Sequence, residues 1–533
     1  MYAVRPSNLV TCDQIFGALQ SAAQFLPPST SNSSPNMAPT VQQAPRAADE
    51  YAHVVWASHI LSYLNPYTCS RTDRPPPGVL PDSDNDSDDD DELDDDSDTD
   101  TVVTAESPNP LAAHDEPIRQ KFLNCIAELL AYKKGGKHVA ATALREKENS
   151  VEIDVASNSP FNAKDEQYFV SLSRFLGSCG EQETTSPDDT LYTVGSRCHP
   201  LLEATVMRNA SRLDKWMEDF AKFLKGTLVL SAAIHPVNRG KSKQLSPSDA
   251  AEELVRLVRA SASVPATGKP SAARLAIVRL ASVIVQSPLE VASTELKRIA
   301  PSIDGSKAAR FCRLIARPAV NLRTLARVAR LLPSFRTVAF IKVETPGFTR
   351  LSSKQTPSLR KAWQQLGLPP LDRLPKSLSR KEHRFRKDCA RPFPVHCDAQ
   401  LLLRYEADPS LVPTLPYIGC SKRACFLCHS LLSVLALGVT LRGHHGVCHP
   451  LWGIGVQHSV NLHRQLGELC RVIKEKIVIR LSPKAAPVPF SMPQSSAVSD
   501  LRTADMRGLK RQSVNRENIE RRNQEFREKM QIL

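Results

Sequence analysis

The sequence predicts a protein of several regions, with a mainly α-helical N-terminal part and a C-terminal α/β region. Apolar residues recur at three- and four-residue spacing from Ile118 to Leu332, as they do on helices. A β-branched and aromatic run, TVAFIKVE at 337–344, then indicates a strand. Segments rich in Pro, Ser or Asp separate these parts, and a chain of 533 residues is long enough for two or three domains.

Shifts in composition divide the chain into six regions. We expect a poorly ordered N-terminus, a short helix, a disordered Pro-rich and acidic linker, a helical region of unknown role, an α/β region with metal-binding motifs, and a flexible basic tail with a terminal helix. In that order, the regions span residues 1–50, 51–65, 66–116, 117–335, 336–480 and 481–533.

The acidic part of the linker dominates the charge distribution. Residues 82–100 contain thirteen Asp or Glu and no Lys or Arg, although the whole chain has a net charge of +13. The run is either a solvated spacer or an internal competitor of nucleic acid for a basic surface. We favour the spacer, because like charges at this density repel each other and cannot form a core.

Composition also limits the setting in which the protein acts. No run of eighteen apolar residues is present, and the N-terminus does not resemble a secretory signal. Five of the thirteen cysteines and five histidines lie in the stretch from His396 to His449. Such clustering favours a metal site over disulfides, so we expect an intracellular protein, cytoplasmic or nuclear, without membrane attachment.

The metal-binding motifs are a His at the start of one predicted helix and a Cys-x-x-Cys pair at the start of another. His396 precedes an apolar helical run, and Cys425 and Cys428 follow a predicted strand at Leu415–Gly419. These three residues can hold a tetrahedral Zn²⁺ and leave its fourth position open for water. Asp398, two residues after His396, is the candidate proton shuttle between that water and a leaving amine.

Three sequence blocks strengthen this interpretation. VHCDAQLL (395–402), IGCSKRACFLC (418–428) and GHHGVCHPLW (443–452) resemble, in the same order, the motifs of a mainly fungal group in the cytidine-deaminase-like superfamily. The resemblance implies a three-layer domain with a central sheet flanked by helices, and hydrolytic deamination of a nucleobase in a nucleotide or single-stranded nucleic acid. We further expect Ser421, Lys422, His445 and Trp452 to line the substrate pocket.

Two alternatives remain. Cys425, Cys428, His445 and Cys448 also have the spacing of a closed structural zinc site, although the His and acid of the first block favour the open site. Asp398 stands where the group has Glu, and a displacement of about 1 Å can slow a catalysed reaction roughly 100-fold. The second hypothesis is therefore a catalytically inactive, zinc-stabilised module that binds nucleic acid or a protein.

Overall fold

A computed structural model gives the structure of most of the region from residue 44 to residue 481. The residues it describes are 44–64, 111–133, 136–179, 200–225, 246–262, 271–370, 374–455 and 460–481. The acidic run, the tail after residue 481, most of the expected linker and nearly all of the expected N-terminal region lie outside these residues.

The described residues form mainly helices, with one small sheet. The helices are α1 (Ala44–Leu64), α2 (Leu111–Leu130), α3 (Ala163–Cys179), α4 (Ala210–Phe223), α5 (Pro247–Ala262), α6 (Ser271–Ile284), α7 (Leu289–Ile299), α8 (Gly305–Leu331), α9 (Leu359–Gln365), α10 (Lys376–Ser379), α11 (Glu382–Cys389), α12 (Cys397–Ala407), α13 (Phe426–Leu435) and α14 (Val460–Leu481), and residues 200–208 are also helical. The strands are β1 (Ala140–Glu146), β2 (Val151–Ser157), β3 (Val338–Lys342), β4 (Tyr417–Cys420) and β5 (Thr440–Leu441).

The five strands form one mixed sheet in the order β3-β2-β1-β4-β5. β1 is antiparallel to both β2 and β4, whereas β2–β3 and β4–β5 are parallel pairs. The expectation of helices throughout 117–335 is wrong at β1 and β2. The sequence of β1, AATALRE, consists largely of good helix formers, so its pairing with two neighbouring strands overrides its local preference.

Each face of the sheet has its own hydrophobic core. Ala141 and Ala143 of β1 face a core that includes side chains of α1, α12, α13 and α14. Ala140 and Leu144, which alternate with them, face a second core built mainly by α2, α3 and the end of α8. Because β1 and β2 pair with β3 and β4, hydrogen bonds of the sheet cross the expected boundary at residue 336.

A third core belongs to a helical bundle inserted in the chain between β2 and β3. It is formed mainly by α4 to α7 and the first part of α8, with Phe220 and Phe311 stacked 5.2 Å apart between ring centroids. The last part of α8 packs in the second core through residues such as Leu325 and Val328. The 27-residue helix α8 therefore joins the bundle to the sheet.

Helix α2 crosses β4 at very short range. A Cβ atom added to Gly419 would lie 2.6 Å from Leu123 Cβ and 2.9 Å from the Asn124 backbone nitrogen. The Asn124 side chain also accepts a hydrogen bond from the backbone N–H of Cys420, at 3.2 Å. Only glycine fits at position 419, and this contact fixes the end of β4 from which the candidate site begins.

None of the helices in the described part of the chain combines the length and the apolar character needed to span a membrane.

Candidate metal centre

Two helix N-termini bring the candidate ligands together. His396 is the N-cap of α12, and Cys425 is the N-cap of α13, where its sulfur accepts the backbone N–H of Cys428 at 3.5 Å. Helix α12 is anchored to the sheet by Tyr405, whose hydroxyl donates to buried Asp154 of β2 at 3.0 Å. The sheet thus sets the position from which both helices begin.

The side chains of His396, Cys425 and Cys428 form a compact group. His396 Nδ1 lies 3.6 Å from the sulfur of Cys425 and 3.6 Å from that of Cys428, and the two sulfurs are 3.5 Å apart. Within the described residues, this is the one group of three or more His, Cys, Asp or Glu side chains positioned to hold a metal ion. The structure therefore brings together the three residues that the sequence nominated as ligands.

The pKa values of the two cysteine thiols are shifted in opposite directions. Burial raises the pKa of the Cys425 thiol, but hydrogen bonds from Cys428 and His396 bring this pKa well below its usual value. Burial and the negative charge of Cys425 raise the pKa of Cys428 well above its usual value. Burial would lower the pKa of His396, but the neighbouring Cys425 raises it. An imidazole facing an anionic sulfur is a donor set that favours a cation.

The orientation of the His396 ring is fixed from its other side. The ring donates a hydrogen bond to the backbone of Leu451, and Gly453 N–H donates to the Pro394 carbonyl at 2.8 Å. The N–H of Cys397 donates to the Asn158 side chain at 2.6 Å. Hydrogen bonds of this kind commonly orient a metal-binding histidine.

Asp398 lies in the first turn of α12, against the ligand group. Its side chain is 6% exposed and forms a hydrogen bond with the side chain of Cys428. Burial, and then the negative charge of Cys425, raises the pKa of Asp398 above its usual value. The acid nominated as proton shuttle is thus placed beside two of the candidate ligands.

The loop at 443–449 runs beside the Cys-x-x-Cys turn. Ala424 and His444 pair as a parallel bridge, and the N–H of Phe426 donates to the Val447 carbonyl at 2.9 Å. The loop places His445 next to His449, with ring centroids 5.3 Å apart, and His449 lies 6.5 Å from the His396 ring. Burial, with a smaller effect from His449, lowers the pKa of His445 to about 4.

His449 was not nominated from the sequence. The signal for it was the density of histidines in GHHGVCHPLW, where it follows His445 by four residues. The two rings meet edge to face because the loop folds back beside the start of α13, and no sequence spacing specifies that return.

The other nominated pocket residues lie in different environments. Ser421 is buried, and its hydroxyl accepts the backbone N–H of Ala140 at 3.0 Å, which ties it to β1. Lys422 is exposed, and its charge acts on His445. Trp452 is 1% exposed and packs in the first core, where its carbonyl accepts the Tyr51 hydroxyl at 3.4 Å.

The closed zinc site is not assembled in the described part of the chain. The thiol of Cys448 donates to the Ser58 carbonyl of α1 at 3.5 Å, and the metal-competent group includes neither Cys448 nor His445. Cys448 is nevertheless close enough for the charge of Cys425 to raise its pKa, in addition to the larger effect of burial.

Comparison with known protein families gives a match over part of the chain. Residues 395–455 match the family model described as OTT_1508_deam: -like deaminase. The matched segment contains His396, Asp398, Cys425 and Cys428, but it covers far less than half of the 533 residues. No curated protein and no solved structure matches the chain.

Proposed function

We propose that the protein is a zinc-dependent hydrolytic deaminase that acts on a nucleobase. The observation that carries this proposal is the group formed by His396, Cys425 and Cys428, with Asp398 buried beside it. The match of residues 395–455 to a deaminase-like family supports the same chemistry.

The spacing of the three ligand atoms suits zinc. Tetrahedral bonds of about 2.3 Å to sulfur and about 2.0–2.1 Å to nitrogen require ligand atoms about 3.6–3.8 Å apart. The separations of 3.5 and 3.6 Å are close to these values. One imidazole and two sulfurs leave one tetrahedral position for water, which is typical of catalytic rather than closed structural sites.

The fold supports the proposal as well. All four residues lie at the N-termini of helices α12 and α13, with His396 and Cys425 as the N-caps. Both helices contribute to the core on one face of the sheet, whereas α2 and α3 cover the other face. We propose that these layers are the three-layer deaminase-like domain, with the α4–α8 bundle as an insertion in it.

The chain's own groups have separate tasks in the proposed reaction. Zinc, when bound, would lower the pKa of a coordinated water so that hydroxide is available near neutral pH. Asp398 would accept the proton of that water and deliver it to the leaving amine, as zinc deaminases use a Glu that does not ligate the metal. The Leu451 backbone would keep His396 oriented, and burial would exclude bulk water.

An inactive zinc-stabilised module is the second candidate, and the contacts of Asp398 favour it. Asp is one methylene shorter than Glu, and the carboxyl is hydrogen bonded to Cys428 rather than directed away from the ligands. A side chain held in this way could support the ligand set without reaching the substrate.

Zinc stoichiometry and ammonia release by the full-length chain test both candidates. We expect about one zinc per chain, lost in His396→Ala and retained in Cys448→Ala. Asp398→Asn should retain zinc and slow ammonia release from cytosine or adenine substrates at least ~100-fold. Zinc lost only in Cys448→Ala would establish the closed site. Activity that appears only in Asp398→Glu would identify a degenerate deaminase.

A further inference from the structure

Helix α1 supports the segment that orients the candidate ligand histidine. The Tyr51 hydroxyl of α1 donates to the Trp452 carbonyl at 3.4 Å, and the Ser58 carbonyl accepts the Cys448 thiol at 3.5 Å. These two contacts lie on either side of Leu451, whose backbone accepts the hydrogen bond from the ligand histidine. Any change that loosens α1 therefore also removes the support of this segment.

A buried histidine lies in the interface between α1 and α11. The side chain of His59 is 2% exposed, and its ring centroid lies 6.1 Å from that of Tyr63, 6.3 Å from that of Phe385 and 6.1 Å from that of Phe393. Neither ring nitrogen has a hydrogen-bond partner within the described residues. A neutral imidazole carries one donor and one acceptor, and buried polar groups are normally paired. This aromatic interface therefore accepts the neutral ring and has no hydrogen bond to offer a charged one.

The charged groups near His59 do not compensate for an added proton. Asp388 of α11 acts on the ring, but its carboxylate already accepts the Tyr63 hydroxyl at 2.6 Å. Arg391, just after α11, opposes protonation, and the Cys389 thiol adds no negative charge because burial raises its pKa. Burial outweighs the effect of Asp388 and lowers the pKa of His59 to about 4.

We propose that α1 detaches from the part of the chain that carries the candidate metal centre when His59 is protonated. Detachment breaks the contacts of Tyr51 and Ser58, and the segment around Leu451 then loses its support. The proposal is independent of the deaminase function, because it concerns the folded chain with or without metal.

The direction and size of the pH effect follow from the proton that His59 binds. The pKa of His59 is about 4 in the docked helix and is expected to return to about 6.5 when the helix is released. Docking is therefore strongest above pH 6.5 and weakens as the pH falls from 6.5 towards 4. With these two values, release is about thirtyfold more favourable at pH 5 than at pH 7.5.

Hydrogen exchange of the full-length chain, followed by mass spectrometry between pH 7.5 and pH 5, tests the proposal. Exchange rates are corrected for the intrinsic pH dependence of amide exchange, so that they report local opening. We expect peptides that cover α1 to lose protection about thirtyfold at pH 5, together with peptides that cover residues 448–452. Peptides from the α4–α7 bundle should keep their protection.

Two substitutions isolate the proton on His59. His59→Leu is close in size and cannot be protonated, so α1 should be protected equally at pH 7.5 and pH 5. His383→Gln removes an exposed histidine from α11 and should retain the pH dependence of the parent. If His59→Leu does not fold, His59→Gln replaces it as a second side chain without a titratable group.

The pH profile of the parent is a measurement that needs no variant. One proton predicts that the protection of α1 falls about sevenfold between pH 6 and pH 5. Equal protection at the two pH values would overturn the proposal. So would a pH dependence that survives substitution of His59, or a loss of protection that extends equally to the α4–α7 bundle.

Discussion

Glu128, near the end of α2, joins the helical bundle to the sheet, and its replacement by Gln should weaken that junction. The carboxylate accepts hydrogen bonds from Arg442 at 2.9 Å and from Asn321 of α8 at 3.0 Å. Arg442 also donates to the Cys420 carbonyl at the end of β4. The Glu128 side chain is 10% exposed, so its charge is poorly solvated and depends on these partners.

The size of the effect follows from the pKa of Glu128. Burial alone would raise this pKa, but the charges of Arg317 and Arg442 and the Asn321 hydrogen bond lower it from 4.5 to about 2. This difference corresponds to about 3 kcal/mol of folding free energy. Because the folded-state pKa is depressed, the contribution is complete above pH 4.5 and is lost as the pH falls towards 2. About half should remain at pH 3.

Urea unfolding of the parent and Glu128→Gln, followed by tryptophan fluorescence at pH 7, 4 and 3, measures this contribution. We expect the variant to be less stable by about 3 kcal/mol at pH 7, with the difference falling by about half at pH 3. Glu148→Gln, an exposed carboxylate between β1 and β2, is the matched control and should change stability by less than about 0.5 kcal/mol. A stability difference for Glu128→Gln that does not change between pH 7 and pH 3 would refute the reasoning.

Three further substitutions test individual contacts by thermal or urea unfolding. Gly419→Ala should destabilise the protein by about 1–3 kcal/mol, because the new Cβ would meet Leu123 and the backbone of Asn124; an unchanged midpoint would show that α2 is not packed against β4. Ala436→Gly should stabilise it by about 1 kcal/mol, since Ala436 ends α13 with a φ of 50°; a loss of stability would contradict the left-handed conformation. Tyr405→Phe should lower the free energy of unfolding by about 1 kcal/mol, because the hydrogen bond to Asp154 is lost. An unchanged stability would show that the Tyr405 hydroxyl does not make this hydrogen bond.

The candidate ligands were predictable because each lies beside a strong local signal. The apolar residues after Asp398 predicted α12, and the run at 415–419 predicted β4. The helix predicted to begin at the Cys-x-x-Cys pair is present as α13, which ends where Ala436 adopts the left-handed conformation. Local periodicity indicated where along the chain each helix begins, whereas the meeting of their N-terminal side chains depends on long-range contacts of α12 and β4.

The hairpin of β1 and β2 was not predictable in the same way. The amino-acid composition of β1 favours a helix. The strands that pair with the hairpin, β3 and β4, come from residues 338–342 and 417–420, far along the chain. The contact between Cys448 and Ser58 spans 390 positions, and the spacing of Cys425, Cys428, His445 and Cys448 gave no indication of it. These features depend on tertiary packing, which overrides local propensity and motif spacing.

The same long-range contacts decide what part of the chain the candidate centre requires. The His396 ring is oriented by Leu451, and the adjacent Trp452 carbonyl is hydrogen bonded to Tyr51 of α1. Helix α12 is anchored to Asp154 of β2, and β4 is held by α2 through Asn124. A fragment of residues 336–480 contains both ligand motifs but lacks α1, α2, β1 and β2, and with them the contacts of Tyr51, Asp154 and Asn124 that support the Trp452 segment, α12 and β4. Metal binding in the proposed geometry is therefore a property of the folded chain rather than of the three motifs alone.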